Sequence, residues 1–318
     1  MQSEKIPVIA IVGPTASGKT GLSIEIAKAF DGEIVSADSM QIYKELSIAT
    51  AKPDFSEMQG IVHHLIDVKS VTEDYSVAEY VDTAKQIILD IHQRNKLPII
   101  VGGTGLYVDS LLNGYDFSVQ LSDENLRKSL NDDYDRIGAE NLWQRLCDVD
   151  ESAARDIHYN NRKRLVRALE LFELTGKTQD ERNAESKNNP SIFNPLYICL
   201  NAKDRQFLYE RANNRVDEMI EMGLIDEVRR YYEIDNPITA SQAIGCKELK
   251  PFIDGVDDLN NCIERLKQAT RRYIKRQLTW FLRNDKNNVL YIDECEKDEL
   301  VLKAKGIISD FINSTKGE

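Results

Sequence analysis

Ile6-Pro7-Val8-Ile9-Ala10-Ile11-Val12-Gly13-Pro14-Thr15-Ala16-Ser17-Gly18-Lys19-Thr20 joins two signals in one short stretch. Its first half, Ile6 to Val12, is a continuous apolar run of strand length, as expected of a strand buried on both faces of a parallel sheet. Its second half matches G-x-x-x-x-G-K-[ST], directly after that strand and directly before a helix. From Thr20 the residues Leu22, Ile24, Ile26, Ala27 and Phe30 supply an apolar helix side, and Asp31-Gly32 stops it. In such a loop the glycines let the backbone curl, so that successive N–H groups point at phosphate oxygens. Lys19 adds a positive charge, and the Thr20 hydroxyl can hold Mg²⁺ at the helix's positive end. A di- or triphosphate is the expected ligand.

Working outward, Glu33-Ile-Val-Ser-Ala37 is a second strand and completes a βαβ unit. Val77 to Gln93 carries Val81, Ala84, Ile88 and Ile91 at helical spacing, and Leu97-Pro-Ile-Ile-Val101 is a further buried strand that runs into Gly102-Gly103-Thr104-Gly105. Alternating strand and helix make the fold class α/β: a P-loop NTPase-like core with a parallel sheet flanked by helices. After about Phe117 the character changes: the polar Ser122-Asp123-Glu124-Asn125 comes first, and Leu126 to Leu174 then reads as helix after helix without a convincing strand. An inserted helical subdomain is therefore expected over 118–190, with the core formed by 1–117 and 191–318. Gly176 to Pro190 reads as an exposed linker, and Leu196-Tyr-Ile-Cys-Leu200 as a strand returning to the sheet.

The 42% apolar and 30% charged shares are those of an ordinary globular chain, which argues against a disordered or fibrous protein. No export signal or membrane-length apolar run is visible, and the cysteines (Cys147, Cys199, Cys246, Cys262, Cys295) show no C-x-x-C pairing. A reducing cytoplasm is the expected compartment, without a membrane partner. The net charge of -12 argues weakly against nucleic acid, but Arg265, Lys267, Arg271, Arg272, Lys275 and Arg276 form one basic stretch without an acid. Arg162, Lys163, Arg164 and Arg167 form another.

A nucleoside triphosphatase also needs an acidic residue at the end of a neighbouring buried strand. Leu97–Val101 ends without one, so Asp38, after Ser36-Ala37, is the carboxylate left for proton or metal chemistry. The adjacent His63-His64 pair is expected to serve packing, because neighbouring side chains on an extended segment face opposite ways. A P-loop small-molecule or nucleoside kinase, consuming ATP, is the rival activity, and a non-catalytic RNA-binding module is a third reading.

Gly13–Thr20, Asp38-Ser-Met-Gln-Ile-Tyr43, Thr50-Ala-Lys-Pro53, His63-His-Leu-Ile-Asp67, Tyr75-Ser76 and Gly102-Gly-Thr-Gly-Leu-Tyr107 follow one another along the chain. Arg164-Leu-Val-Arg-Ala-Leu-Glu170, Thr175-Gly-Lys177, Asp204-Arg205 with Leu208-Tyr209, Gln242-Ala-Ile-Gly245 and Lys275-Arg-Gln-Leu-Thr-Trp280 come after them. In this order the blocks resemble the tRNA dimethylallyltransferase (isopentenyltransferase) family from about Ile6 to Phe281. The resemblance implies a prenyltransferase with Mg²⁺ as cofactor. It would move dimethylallyl from dimethylallyl diphosphate to the N6 amine of the adenosine 3′ of the tRNA anticodon, releasing diphosphate and hydrolysing no nucleotide.

By that resemblance Asp38 and Thr104 are catalytic. Gly13, Pro14, Thr15, Ala16, Ser17, Gly18, Lys19 and Thr20, with Arg211 and Arg215, bind the diphosphate, and Thr20 meets the metal. Asp38, Ser39, Met40 and Gln41 meet the flipped adenosine, while Asp123, Lys163, Arg164, Leu165, Val166 and Arg167 contact tRNA. The basic 265–283 stretch is added as an RNA surface on charge alone, and the chain is expected to act as a monomer. Departures from the family pattern fall at Ala49, usually glycine, at Tyr159 and Asn161, usually Pro and an acid, and at Cys246, usually tyrosine.

Overall fold

The computed structural model describes residues 5–113, 122–187, 191–235 and 243–315. Gln242, and the parts of the expected helical subdomain at 118–121 and 188–190, lie outside the described residues. The chain divides into two compact units, one of residues 1–112 with 192–318, the other of 113–191.

The first unit begins with β1 (Ile6–Val12), α1 (Lys19–Ala29), β2 (Gly32–Ser36), α2 (Phe55–Met58), β3 (His63–His64), α3 (Val77–Gln93), β4 (Leu97–Gly102) and α4 (Gly105–Leu112). The second unit holds α5 (Glu124–Ile137), α6 (Ala139–Val149), α7 (Glu151–Asp156), α8 (Arg162–Thr175) and α9 (Gln179–Lys187). The chain returns to the first unit with β5 (Phe193–Asn201), α10 (Arg205–Glu221), α11 (Leu224–Tyr232) and α12 (Cys246–Ile253). It ends with α13 (Leu259–Phe281), β6 (Asn287–Tyr291) and α14 (Lys297–Thr315).

The strands form one sheet in the order β3-β2-β4-β1-β5-β6, every pair parallel. β1 lies between β4 and β5, and Val8 to Val12 are each 0% exposed. Its unbroken apolar run is thus the consequence of helices covering both faces. Ile9 and Ile11, two residues apart and so on one face, join Ile99, Ile198, Leu22, Ile26, Ala304 and Ile308 in a single buried cluster. α1 and α14 supply the helical side of it, and each buried leucine or isoleucine contributes about 1.5–3 kcal/mol. α3 starts on a capping box, Ser76 with Glu79, which fixes its first turn.

All strands being parallel, the loops after β1, β2 and β4 leave from the same edge. Gly13–Thr20, Asp38 and Thr104, far apart in sequence, therefore converge at the carboxyl ends of the strands, where open α/β sheets bind ligands.

In the second unit Leu130, Leu142, Leu146, Ala153, Leu165 and Leu169 form a separate core. Asp123 accepts the N–H groups of Asn125 and Leu126 and caps α5, and Asn161 accepts that of Arg164 and caps α8. The linker expectation is corrected here, because residues 179–187 are helical. Thr178 and Glu181 bond reciprocally as in a capping box, and Asp150 accepts the Gln179 N–H at 2.7 Å. β3 and β6 are additional strands. β6 is a short polar edge in which only Leu290 is buried, a pattern that carries little strand signal.

Candidate active site

At the carboxyl edge of the sheet lies a cavity of about 640 Å³. Its floor includes Thr15, Gly18, Lys19 and Thr20 from the loop after β1, and Asp38 to Gln41 from the loop after β2. Gly102 and Gly103 come from the end of β4 and the loop beyond it, and α10 and α13 bring Arg211, Arg215, Tyr273, Arg276 and Gln277.

The loop after β1 is curled tightly. Ala16 and Gly18 have φ of 61° and 88°, Ser17 Oγ donates to the Pro14 carbonyl at 2.8 Å, and Gly18 caps α1 without a side-chain bond. The first amides of α1 are thereby left without a side-chain cap, beside the helix's positive end. Lys19 Nζ donates to the Pro14 carbonyl at 2.6 Å. Burial pushes its amine down to about 8, while the Asp38 carboxylate favours its charged form.

Asp38 sits half-buried on the same floor, and burial raises its carboxyl above the ordinary value. The Met40 N–H, at 2.9 Å from Oδ1, and the Lys19 charge pull the other way. A carboxylate so placed holds a proton more readily than one in water, which suits it to accept one during a reaction. Thr104 Oγ1 accepts the Ser39 N–H at 3.1 Å and donates to Ser39 Oγ at 3.3 Å, locking the two strand-end loops together. The approach is close: a Cβ on Gly102 would lie 2.2 Å from the Ala37 carbonyl oxygen. Gln41 is oriented from both ends, donating to the Thr50 and Ala51 carbonyls and accepting from Ser36 Oγ at 3.1 Å.

Arg211 Nε donates to the Ala16 carbonyl at 2.8 Å, so α10 is tied to the phosphate loop, and Arg215 one turn on pairs with Glu218 at 3.7 Å. Apolar groups line the cavity as well: Val216 and Met219 of α10, Ala243, Ile244 and Leu266. Among the described residues no cluster of three His, Cys, Asp or Glu side chains stands ready to hold a metal. His64 Nε2 pairs with Glu33 at 2.8 Å. All five cysteines are free.

A profile of the family described as IPP transferase matches residues 41–285 of this chain. A tRNA dimethylallyltransferase of Caldanaerobacter subterraneus subsp. tengcongensis is 45% identical over 293 residues, 91% of this chain and 93% of that one. The chain belongs to the IPP transferase family. The crystal structure of the full-length tRNA isopentenylpyrophosphate transferase from Bacillus halodurans superposes with a TM-score of 0.74 at 39% identity, covering 99% of both chains. A eukaryotic dimethylallyltransferase captured acting on tRNA gives 0.83 at 32% identity, covering 97% of this chain and 80% of that one.

The positions at which this chain departs from the family pattern are tied into their surroundings. Ala49 N–H is held by Glu227, and Asn161 still caps α8 as an acid would. The Tyr159 carbonyl accepts the Tyr134 hydroxyl at 3.4 Å. Cys246 is fully buried at the start of α12, where burial pushes its thiol up to about 12 and makes it inert.

The second unit sorts its residues by exposure. Leu165 and Val166 are buried in its core, whereas Lys163 and Arg164 are exposed and Arg167 pairs with Glu170 at 2.8 Å. Along α13 the basic stretch is partly neutralised: Arg265 pairs with Asp257 and Lys267 with Asp217, while Arg271 donates to Asn213. Trp280 donates its indole N–H to Asp109 at 2.7 Å instead of standing free. Tyr273, Gln277 and Glu227 are the site residues that sequence reasoning missed. Their partners lie on distant segments, and only the Lys275–Trp280 block hinted at Gln277.

Proposed function

We propose that this chain is a tRNA dimethylallyltransferase, moving a dimethylallyl group from dimethylallyl diphosphate to N6 of the adenosine on the 3′ side of the tRNA anticodon. The observation that carries the reading is one cavity that joins an uncapped P-loop, a half-buried aspartate and an apolar wall. The apolar wall suits a prenyl group, and it is the transferase name borne by the relatives that favours this reading over a kinase.

In the mechanism the diphosphate lies against the amides of Gly13 to Thr20, with Lys19, Arg211 and Arg215 around it. Val216, Met219, Ile244 and Leu266 take the prenyl group, whose five carbons contribute about 3–4 kcal/mol on burial at ~0.8 per carbon. The adenosine is extruded from the anticodon loop, at a cost of a few kcal/mol, and meets Asp38 to Gln41. As the donor's C–O bond breaks, negative charge grows on the leaving diphosphate, where the loop amides and Lys19 stabilise it. As the new C–N bond forms, Asp38 accepts the amine's proton, with Thr104 holding the reacting groups in line.

Thr20, on the cavity floor, offers a single hydroxyl. That sparse donor set fits Mg²⁺, which keeps several waters and takes substrate phosphate oxygens as ligands. Bound there, the ion would neutralise charge on the diphosphate. The helical unit 113–191 would hold the RNA through Asp123, Lys163, Arg164 and Arg167; Leu165 and Val166 would support that face from within. The enzyme would act as a monomer in the cytoplasm. No described helix is long and apolar enough to cross a membrane.

Purified protein, dimethylallyl diphosphate, Mg²⁺ and unmodified tRNA should yield N6-prenylated adenosine in the nuclease digest, with one diphosphate per product. ATP consumption with an acceptor, and no prenylated nucleoside, would overturn the reading.

A further inference from the structure

We propose that Gln277 is a positioning residue that sets the distance between the phosphate loop and the Thr104 turn, and so aligns the donor carbon with the acceptor amine. The assignment rests on the prenyl-transfer reading above. Gln277, on α13, is 4% exposed and spends both ends of its amide on the site. Its Oε1 accepts the Thr15 N–H at 2.9 Å, across 262 residues of sequence, and its Nε2 donates to the Gly103 carbonyl at 3.1 Å, across 174. One loop grips the leaving group and the other carries Thr104, so a single planar amide spans the two halves of the reaction.

The contact is built, not incidental. A Cβ on Gly103 would lie 2.1 Å from Gln277 Nε2, so the absence of a side chain there is what admits the amide. Tyr273, one turn earlier on α13, lies close to both Thr104 and Gln277. Only an uncharged amide serves both partners: a carboxylate would set oxygen against the Gly103 carbonyl, and a leucine would satisfy neither. Misplacing a reacting pair by about 1 Å costs on the order of 100-fold in rate.

A loosened spacing has its own chemical signature. When the donor's C–O bond to diphosphate breaks with the amine out of line, water takes the allylic carbon. A new C–O bond forms to the water oxygen, the water's proton passes to solvent, and the products are dimethylallyl alcohol and diphosphate. No oxidant or further reactant enters.

The test compares wild type, Gln277→Leu and Gly103→Ala in one assay that counts diphosphate released and prenylated adenosine formed. Wild type should give one diphosphate per prenylated adenosine. Both variants should lose about 100-fold in kcat, keep KM for donor and tRNA within about threefold, and release more diphosphate than prenylated adenosine. Gly103→Ala crowds the amide from the opposite side, so it stands in should Gln277→Leu fail to fold. The assignment is overturned if the folded variants stay coupled one to one, or if KM rises while kcat holds. If wild type itself forms no prenylated adenosine, the transfer reading falls, and this assignment with it.

Discussion

Glu227 Oε1 accepts the Ala49 N–H at 2.8 Å, and its Oε2 takes the neighbouring N–H groups of Ser47 and Ile48 at 2.9 Å each. A carboxylate on α11, 5% exposed, thus organises a loop that continues into Thr50 and Ala51, whose carbonyls hold the Gln41 amide. Glu227→Gln replaces one acceptor oxygen by an N–H₂ group facing N–H donors. It should cost about 1.5–3 kcal/mol of stability, the range for hydrogen bonds to a charged group. Because Gln41 is the proposed contact to the adenosine, KM for tRNA should rise about tenfold, close to 1.4 kcal/mol, while donor affinity holds. A melting curve and tRNA saturation kinetics like those of wild type would refute the role.

The rate should depend on pH through Lys19 and Asp38. Lys19 must be charged to hold diphosphate, and its amine is lowered to about 8 by burial, so donor binding by the free enzyme weakens as pH rises through that value. Asp38 must be ionised to accept a proton. Its pKa is raised, so kcat/KM falls on the acid side at a pH above the ordinary 3.8 of an aspartate. The result is a bell in kcat/KM. Since the Asp38 charge raises the Lys19 pKa, Asp38→Asn should move the alkaline limit of donor binding to lower pH. An alkaline limit that stays put, followed by titration of donor binding, would contradict this coupling.

What was legible in the sequence was what is local. The run Ile6–Val12 and the loop Gly13–Thr20 carry their signals within fifteen residues, and the position of Asp38 follows from the strand before it. Thr178-x-x-Glu181 was equally local, a capping box inside the stretch read as linker. Gln277 and Glu227 were not legible, because each acts on backbone groups 174 or more residues away in sequence, 174 for Gly103, 262 for Thr15 and 180 for Ser47. Only the closed fold pairs them. The glycines of Gly102-Gly103-Thr104-Gly105 read as a turn. Their geometric use is close approach by Ala37, Gln277 and Trp280.

Glu33 tests the acid stability of the sheet. Its side chain is nearly inaccessible in β2, and hydrogen bonds from Arg94, then His64 and Lys96, hold its carboxyl at about 2 against the cost of burial. A depressed carboxyl stabilises the fold above the unfolded value of 4.5, and that contribution is lost as pH falls from 4.5 through about 2. Glu33→Gln should therefore cost about 1.5 kcal/mol at pH 7, near the low end for charge-assisted bonds because Arg94 is 40% exposed. The gap in denaturation midpoint from wild type should close as pH drops below 4.5. A gap that stays constant down to pH 3 would rule the ion cluster out as its source.

Asp38→Asn separates catalysis from binding more sharply than alanine does. Asp38 Oδ1 accepts the Met40 N–H at 2.9 Å, and an asparagine oxygen can keep that bond, so the turn that presents Met40 and Gln41 should survive. What asparagine cannot do is accept the amine's proton, and a positioned general base contributes about 10²–10⁴-fold to rate. Transfer should fall by that factor, with tRNA affinity within a few-fold of wild type. Below the lowered alkaline limit the same protein should still bind dimethylallyl diphosphate, because the charged Lys19 and the loop amides are retained. Retained transfer would remove Asp38 as the base, and loss of tRNA binding in step with activity would assign it to the RNA grip instead. Single-turnover kinetics at saturating tRNA distinguish these outcomes, since a missing base slows the chemical step even when every enzyme molecule holds both substrates.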